Sequence, residues 1–264
     1  MSPASIPTLS NPYSADFSSY AELRCGSLVH VTSPGLPVVG EPLYAHEAFQ
    51  KHITNTEFPC VGAKASINGN FYRYGFYDTV NSPGATSGLA HDLWHYAMDQ
   101  QTFGTNYATF IACFRGPKVM DESEWEMLLW NQLQSLHEID KSDWDETVSS
   151  EPQDSHFSFS FAGVGFFIVG LHQRASRLSR RFAWPTMVFN VHAQFERLRG
   201  EGLFDRMQST IRARDLKLQG SLNPNLSDFG KQSEAKQYSG RAVEKEWKCP
   251  FHRVFGRWMK DPHK

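Results

Sequence analysis

The sequence predicts one α+β (mixed α/β) domain, a central mixed sheet covered by helices. Short apolar runs at 107–114 and 185–191, and a longer one at 157–171, have the aromatic and β-branched content of buried strands. Segments 44–54, 86–101 and 121–140 instead repeat their apolar residues at helical spacing. The two kinds alternate along the chain with no fixed repeat period, which favours one mixed sheet over two separate modules.

Taken in order, residues 1–40 are rich in Ser, Pro and Gly and read as an irregular N-terminal extension, with the domain proper spanning 41–264. After the helical stretch 44–54, Pro59 breaks the chain, and a short helix over 61–67 can start behind it and end at Gly69. Residues 71–77 alternate as a strand. The helix over 121–140 is the clearest in the chain: Asp121 or Ser123 can cap it, and Trp125, Leu128, Leu129, Leu133 and Leu136 share one face. An acidic loop at 142–156 precedes strand 157–171, an arginine-rich segment, strand 185–191, and helices near 192–199 and 202–214. A polar loop at 218–232 leads to a last helix over 233–246.

Composition narrows the function. The chain has 264 residues, 40% hydrophobic and 14% aromatic, enough for a core that can also line an apolar pocket. A net charge of −2 gives no general pull toward nucleic acid or anionic membrane. Four cysteines (Cys25, Cys60, Cys113, Cys249) show no C-x-x-C pairing, which argues against a zinc ribbon. The first residues lack a basic region followed by an apolar core, and run 157–171 is too short to cross a bilayer, so a cytoplasmic protein with reduced thiols is expected. Charge is uneven: nine arginines fall between Arg174 and Arg214, against three acids, Glu196, Glu201 and Asp205. That bias points to a local anion site.

Several local patterns can be weighed. His91 and His95 stand one helical turn apart, a spacing that can chelate a metal, yet no third ligand is evident nearby. No G-x-S-x-G elbow and no phosphate-binding G-x-x-x-x-G-K loop occurs, and Gly163-Val-Gly165 lies inside an apolar run rather than at a strand-to-helix turn. Cys60, at a helix start, and Cys249, beside a lysine, are candidate soft ligands or small buried residues. His172 ends the run 157–171 and is followed by Arg174, Arg177, Arg180 and Arg181. Haem needs an axial imidazole or thiolate and partners for two propionates, and this string could supply both. A core strand followed by a solvated basic loop would look the same.

Three strings add a resemblance: Phe58-Pro-Cys-Val-Gly-Ala-Lys-Ala65, Arg180-Arg-Phe with 188–199, and 218–241 continuing to Trp247-Lys-Cys-Pro-Phe251. Together they resemble the bacterial YqcI/YcgG family, in particular its haem-dependent N-hydroxylases of guanidine compounds in guanitoxin and cycloserine biosynthesis. The chain departs from the family pattern at Gln173, where proline is expected, and at Ala193, where glutamate is common.

The resemblance implies a protohaem (haem b) monooxygenase that N-hydroxylates the guanidine group of arginine or an arginine-like amino acid, in specialised-metabolite biosynthesis. His172 is the expected axial ligand and sole metal ligand, with Arg177, Arg180 and Arg181 near the propionates. Cys60, Cys249 and His192 are rivals for the iron, and a thiolate would suit oxygen activation. Glu234 or Asp228 would meet the guanidinium, Arg241 the substrate carboxylate, and Tyr238 would donate a hydrogen bond. Dioxygen with an external reductant, or peroxide, would be consumed. The electrons would come from a separate electron-transfer protein, and a homodimer is allowed. Neither nucleic acid nor membrane is expected as a partner. The alternative function is a non-catalytic haem-binding carrier or sensor, and a haem-free metal hydrolase using His91 and His95 is a further rival.

Overall fold

Parallel pairing of two buried strands, connected by a helix, sets the architecture. A computed structural model describes residues 10–33, 35–225 and 232–254. Strand β3 (Tyr72–Thr79) runs into helix α3 (Pro83–Asp99) and returns as strand β4 (Thr109–Gly116), parallel to β3 with Tyr74 beside Ile111. Ser82 caps α3 by accepting the Ala85 N–H at 3.2 Å, and Pro83 follows at the first helical position. This starts the helix three residues before the predicted 86.

Strand β7 (Thr186–Val191) pairs antiparallel with β4, Phe189 opposite Phe110, and β6 (Val164–Leu171) lies antiparallel beyond it, followed by β5 (Phe159–Phe161). At the other edge β1 (Ala21–Arg24) and β2 (Ser27–His30) complete a seven-stranded mixed sheet in the order β2-β1-β3-β4-β7-β6-β5. The inner strands β4 and β7 are buried on both faces and therefore read in sequence as unbroken apolar runs.

Each face carries its own core. Helices α3 and α4 (Glu122–Ile139) cover one, where Leu89, Leu93, Trp125, Leu129 and Leu133 join the buried cluster of Phe110, Ile168 and Phe189. Asp121 caps α4, accepting the Glu124 N–H at 2.8 Å. Helices α1 (Glu41–Thr54) and α2 (Val61–Asn68) cover the other with Phe49, Ile53 and Ile67 against Tyr72, Tyr74 and Ile111. The remaining helices are α5 (His192–Gly200), α6 (Phe204–Gln219) and the single turn α7 (Ala235–Tyr238). No helix among the described residues is long and apolar enough to cross a membrane.

The structure corrects three expectations. The run 157–171 is a hairpin rather than one strand, turning at Ala162 (φ 54) and Gly163 (φ 74), the paired left-handed residues of a two-residue type I′ turn. The N-terminal extension is not irregular throughout. Cys25 (φ 48) and Gly26 (φ 80) make a similar turn between β1 and β2, and Ala21 pairs with Tyr74. The expected helix over 233–246 shrinks to α7, because Gly240 (φ 86) takes the left-handed conformation that ends helices.

A buried carboxylate fastens the N-terminal strand to this frame. Asp92, fully buried on α3, accepts from the Ser18 hydroxyl (2.6 Å), the Ser19 N–H (2.7 Å) and the Tyr77 hydroxyl (2.8 Å), with His91 Nδ1 at 2.8 Å. Gly88 permits the approach, since a Cβ there would stand 2.0 Å from the Phe17 carbonyl oxygen. Asp92→Ala is expected to lower unfolding free energy by about 3 kcal/mol or more in urea titrations, since each buried donor left unpaired costs about 1–3 kcal/mol. A loss below about 1 kcal/mol would show that the strap is not held by this carboxylate.

Candidate functional site

Strand alternation places Phe166, Ile168 and Gly170 on the α4 side of β6, and His172 continues that row. Its imidazole stacks on Trp125 (centroids 5.6 Å apart, planes at 26°), and Nδ1 accepts the Arg174 N–H at 3.3 Å. Its backbone is tied to Arg180 and Phe182. Burial pushes its pKa down to about 4, so the ring is neutral at pH 7.

The arginines after His172 are engaged by the protein. Arg177 forms a buried ion pair with Asp215 of α6 and donates to the Ser221 carbonyl at 2.8 Å. Arg180 Nη1 donates to the Gly170 carbonyl at 3.0 Å and the Tyr238 carbonyl at 3.4 Å, and Nη2 to the Gln237 carbonyl at 3.3 Å. Arg181 Nε donates to the Ala175 carbonyl at 2.9 Å. Arg174 opens onto a polar hollow that it shares with Asp121, Glu122, Ser123, Ser176 and Arg241. The free guanidinium forks expected beside His172 are therefore not there: Arg177, Arg180 and Arg181 all hold protein oxygens.

Arg180 lies instead beside Cys60, close enough for their charges to interact. Cys60 caps α2, its Sγ accepting the Ala63 N–H at 3.4 Å. Burial raises its thiol pKa, while backbone N–H groups and the Arg180 charge act in the opposite direction. A Cβ at Gly62 would meet Tyr107 at 3.7 Å, Met207 Sδ at 3.8 Å and Cys60 Sγ at 3.9 Å. Next to it runs a groove of about 230 Å³ between α2 and α6, lined by Val61, Ala65, Tyr107, Leu203, Arg206 and Met207 with Thr210. Its lining is mainly apolar, with one cation and no acid. At Cys60 a thiol at a helix start feels the charge of Arg180; the adjoining groove, whose lining does not include the thiol, adds the Arg206 guanidinium and an apolar wall.

The predicted trio Glu234, Tyr238 and Arg241 separates. The hydroxyl of buried Tyr238 donates to the Phe166 carbonyl at 3.1 Å and accepts the Phe159 N–H at 3.3 Å, bridging the facing residues Phe159 and Phe166 of the β5–β6 hairpin. Its ring stacks on Trp130 at 5.5 Å, and burial holds the phenol well above its ordinary pKa. Tyr238 thus clamps the sheet edge. Arg241 pairs with Glu126 at 2.8 Å and Glu244 at 2.7 Å. Asp228 lies outside the described residues.

Glu234, one turn before Tyr238, is half-buried, with its Oε2 shielded from solvent and without a hydrogen-bond partner. Burial raises its pKa to about 7, with Arg199 opposing the shift and Glu196 reinforcing it. On α5, His192 approaches Ser158 Oγ through Nδ1 (2.8 Å) and Glu196 through Nε2 (3.3 Å), and Arg199 pairs with the same Glu196. Sequence reasoning missed Ser158, Glu196 and Arg199. The signal for the last two was the i, i+4 and i, i+3 spacing on one helix face.

Cys249 packs in the α3/α4 core, its thiol pushed up to about 12 by burial. The rings of His91 and His95 meet edge-on at 4.7 Å, and no group of three or more metal-type side chains stands together among the described residues.

Removing the bridging hydroxyl in Tyr238→Phe leaves Phe159 N–H and Phe166 C=O unpaired, and is expected to cost about 1–3 kcal/mol in chemical unfolding. His172 gives a pH signature. Its folded value of about 4 lies below the ordinary 6.5, so as pH falls the unfolded chain takes the proton first. Its contribution is whole above pH 6.5 and is lost between 6.5 and about 4. His172→Gln should flatten that part of the stability–pH curve, and an unchanged slope would count against a buried neutral ring.

The sequence profile of the YqcI/YcgG family matches residues 49–252. The chain is 28% identical over 204 residues to the Uncharacterized protein YcgG of Bacillus subtilis (strain 168), covering 74% of this chain and 80% of that protein. It is 26% identical over 208 residues to the Uncharacterized protein YqcI of the same organism, covering 75% and 82% respectively. No solved structure matches it. With its profile spanning both faces of the sheet and the segment from Cys60 to Tyr238, the chain belongs to the YqcI/YcgG family.

Proposed function

We propose that this protein is a haem-dependent N-oxygenase that hydroxylates a guanidine nitrogen of arginine or a similar amino acid. Besides the resemblance to the guanidine N-hydroxylases, the observation that carries the reading is Glu234. A half-buried carboxylate with a solvent-shielded, unpartnered oxygen and a pKa near 7 is a receptor for a cation, and a guanidinium is a planar cation that carboxylates hold as a fork. The bound haem would supply oxygen activation and insertion into the N–H bond.

The chain's own residues would do the rest. Cys60 is the preferred iron ligand, with His172 the alternative; the Arg180 charge acts on Cys60, and Arg206 lines the groove next to it. Val61, Ala65, Tyr107 and Met207 would exclude water from it. Glu234 would release its proton as the guanidinium binds, because a facing positive charge favours the carboxylate. A second reading, a haem carrier or sensor without turnover, draws on the engagement of Arg241 by Glu126 and Glu244, which leaves the substrate carboxylate without its expected partner.

Expression with a haem precursor followed by absorption spectroscopy tests the cofactor. A Soret band is expected, altered in Cys60→Ser and retained in His172→Ala; the reverse pattern would move the ligand to His172. Turnover of guanidine amino acids with dioxygen and reductant, or with peroxide, then separates oxygenase from carrier. Glu234→Gln should lower kcat/KM about 100-fold or more with the haem spectrum unchanged, since truncating one member of a buried charge pair costs about 2–5 kcal/mol. Substrate binding needs the ionised carboxylate, so KM should rise as pH drops below about 7 and become flat in Glu234→Gln. A wild-type KM that is flat across pH 5.5–8.5 would remove Glu234 from the site.

A further inference from the structure

We infer that His137 is a proton-operated latch for the C-terminal strap, residues 247–254. Its neutral ring holds the strap on helix α4, and protonation lets residues 252–254 go. The device is independent of the haem reading.

The strap forms no helix or strand of its own, and two kinds of contact keep its end on the protein. The first is an apolar anchor. Phe251 is buried, with the rings of His137 (centroids 5.2 Å apart), Trp144 (6.0 Å), Phe157 (6.0 Å) and Phe159 (6.1 Å) around it. Apolar burial of this kind does not titrate.

The second contact is made by the main chain. The His252 N–H donates to Gln134 Oε1 at 3.0 Å, and the Val254 N–H donates to His137 Nε2 at 3.0 Å. Donors two residues apart on the strap thus meet acceptors one turn apart on α4, as an extended segment laid along a helix allows. Only one of the two acceptors can change. Gln134 stays neutral, and its Nε2 donates to Glu138 Oε1 at 3.2 Å. His137 Nε2 accepts the Val254 N–H through a lone pair, and in the charged ring that nitrogen carries a hydrogen of its own. Protonation therefore removes the acceptor and sets two donors against each other.

The surroundings of the ring fix the direction. Glu138 follows it on α4, Arg253 approaches from the strap, and the loop after α4 presents Trp144 edge-on at 5.5 Å. Arg253 donates to Ser150 Oγ at 2.5 Å, and its guanidinium stands 6.0 Å from the Trp144 ring. Burial and then the Arg253 charge push the His137 pKa below its ordinary 6.5, with Glu138 opposing. With the strap end lifted, the ring meets water and loses its cationic neighbour, so the open form takes a proton more readily than the closed one. The latch is thus closed above pH 6.5 and weakens as pH falls below it. Phe251 stays seated throughout, which confines release to the residues after it and leaves Phe157 and Phe159 covered.

Amide exchange followed by NMR on the full chain, expressed as protection relative to the intrinsic rate at each pH, tests the latch. Protection of the Val254 N–H is expected to fall about fivefold between pH 7.5 and pH 5.0, the worth of one hydrogen bond, with the amides of α3 unchanged. His137→Phe keeps a ring against Phe251 but offers no acceptor, and should leave Val254 equally unprotected at both pH values. Val254→Pro removes the donor at an exposed position, and the His137 pKa, read from its imidazole resonances, should then rise toward 6.5. Wild-type protection that stays flat over this range overturns the latch, as does a fall of equal size in His137→Phe or throughout α3. An unchanged His137 titration in Val254→Pro overturns it too, because coupling between proton and strap must act in both directions.

Discussion

A half-buried arginine whose guanidinium lies among main-chain oxygens near the end of β6 governs how the C-terminal segment meets the sheet. A guanidinium removed from water must find acceptors in nearly every direction of its fork. Arg180 finds them in main-chain oxygens of Gly170, Gln237 and Tyr238, and burial lowers its pKa to about 10, which leaves it charged at neutral pH. Those bonds fix α7 against β6, and α7 carries Tyr238 to the hairpin edge and follows directly on Glu234. The charge of the same side chain also acts on Cys60, favouring its thiolate. One cation thus relates the thiol, the carboxylate and the sheet edge.

The two faces of the sheet are finished to different degrees. On the α3/α4 face the apolar stripes of both helices are buried, and Gly170 has room for no side chain because Trp125 Nε1 and the Tyr238 carbonyl already fill the space. On the opposite face α1 and α2 are packed in the same manner over β3 and β4, but Val169 and Asn190, farther along the sheet, are only half-buried. Cys60 and its groove belong to this less finished half. Rigid packing on one side and spare volume on the other is the arrangement that lets a site change shape without unfolding its frame.

Legibility in the sequence followed burial. Strands β4 and β7 and helix α4 were readable because each is decided by its own apolar pattern. The hairpin hidden in 157–171 was not, since Ala162-Gly163 interrupts an aromatic run without the Asn or Asp that usually marks such a turn. Helical spacing continues past Tyr238, and nothing in a single sequence says that Gly240 will be the stop. At the site, Cys60 and Glu234 could be singled out by residue type and context. The arginines could be recognised as anion-handling groups, but their partners, Asp215 and five backbone carbonyls, are properties of the fold. Ser158 and His192 are 34 positions apart and meet only because β5 and the start of α5 end side by side.

Tyr238 completes a ladder that the hairpin strands leave open, and it lies 72 and 79 residues downstream of its two partners. During synthesis β5 and β6 emerge well before α7, so the hairpin waits with Phe159 N–H and Phe166 C=O unpaired until the phenol follows. A hairpin of this kind, open between its strands and rich in phenylalanine, offers unpaired groups and apolar surface to another chain. Order of emergence from the ribosome therefore makes α7 a protective element as much as a structural one. Chains cut short before it would be expected to associate through the opened β5–β6 hairpin rather than merely unfold.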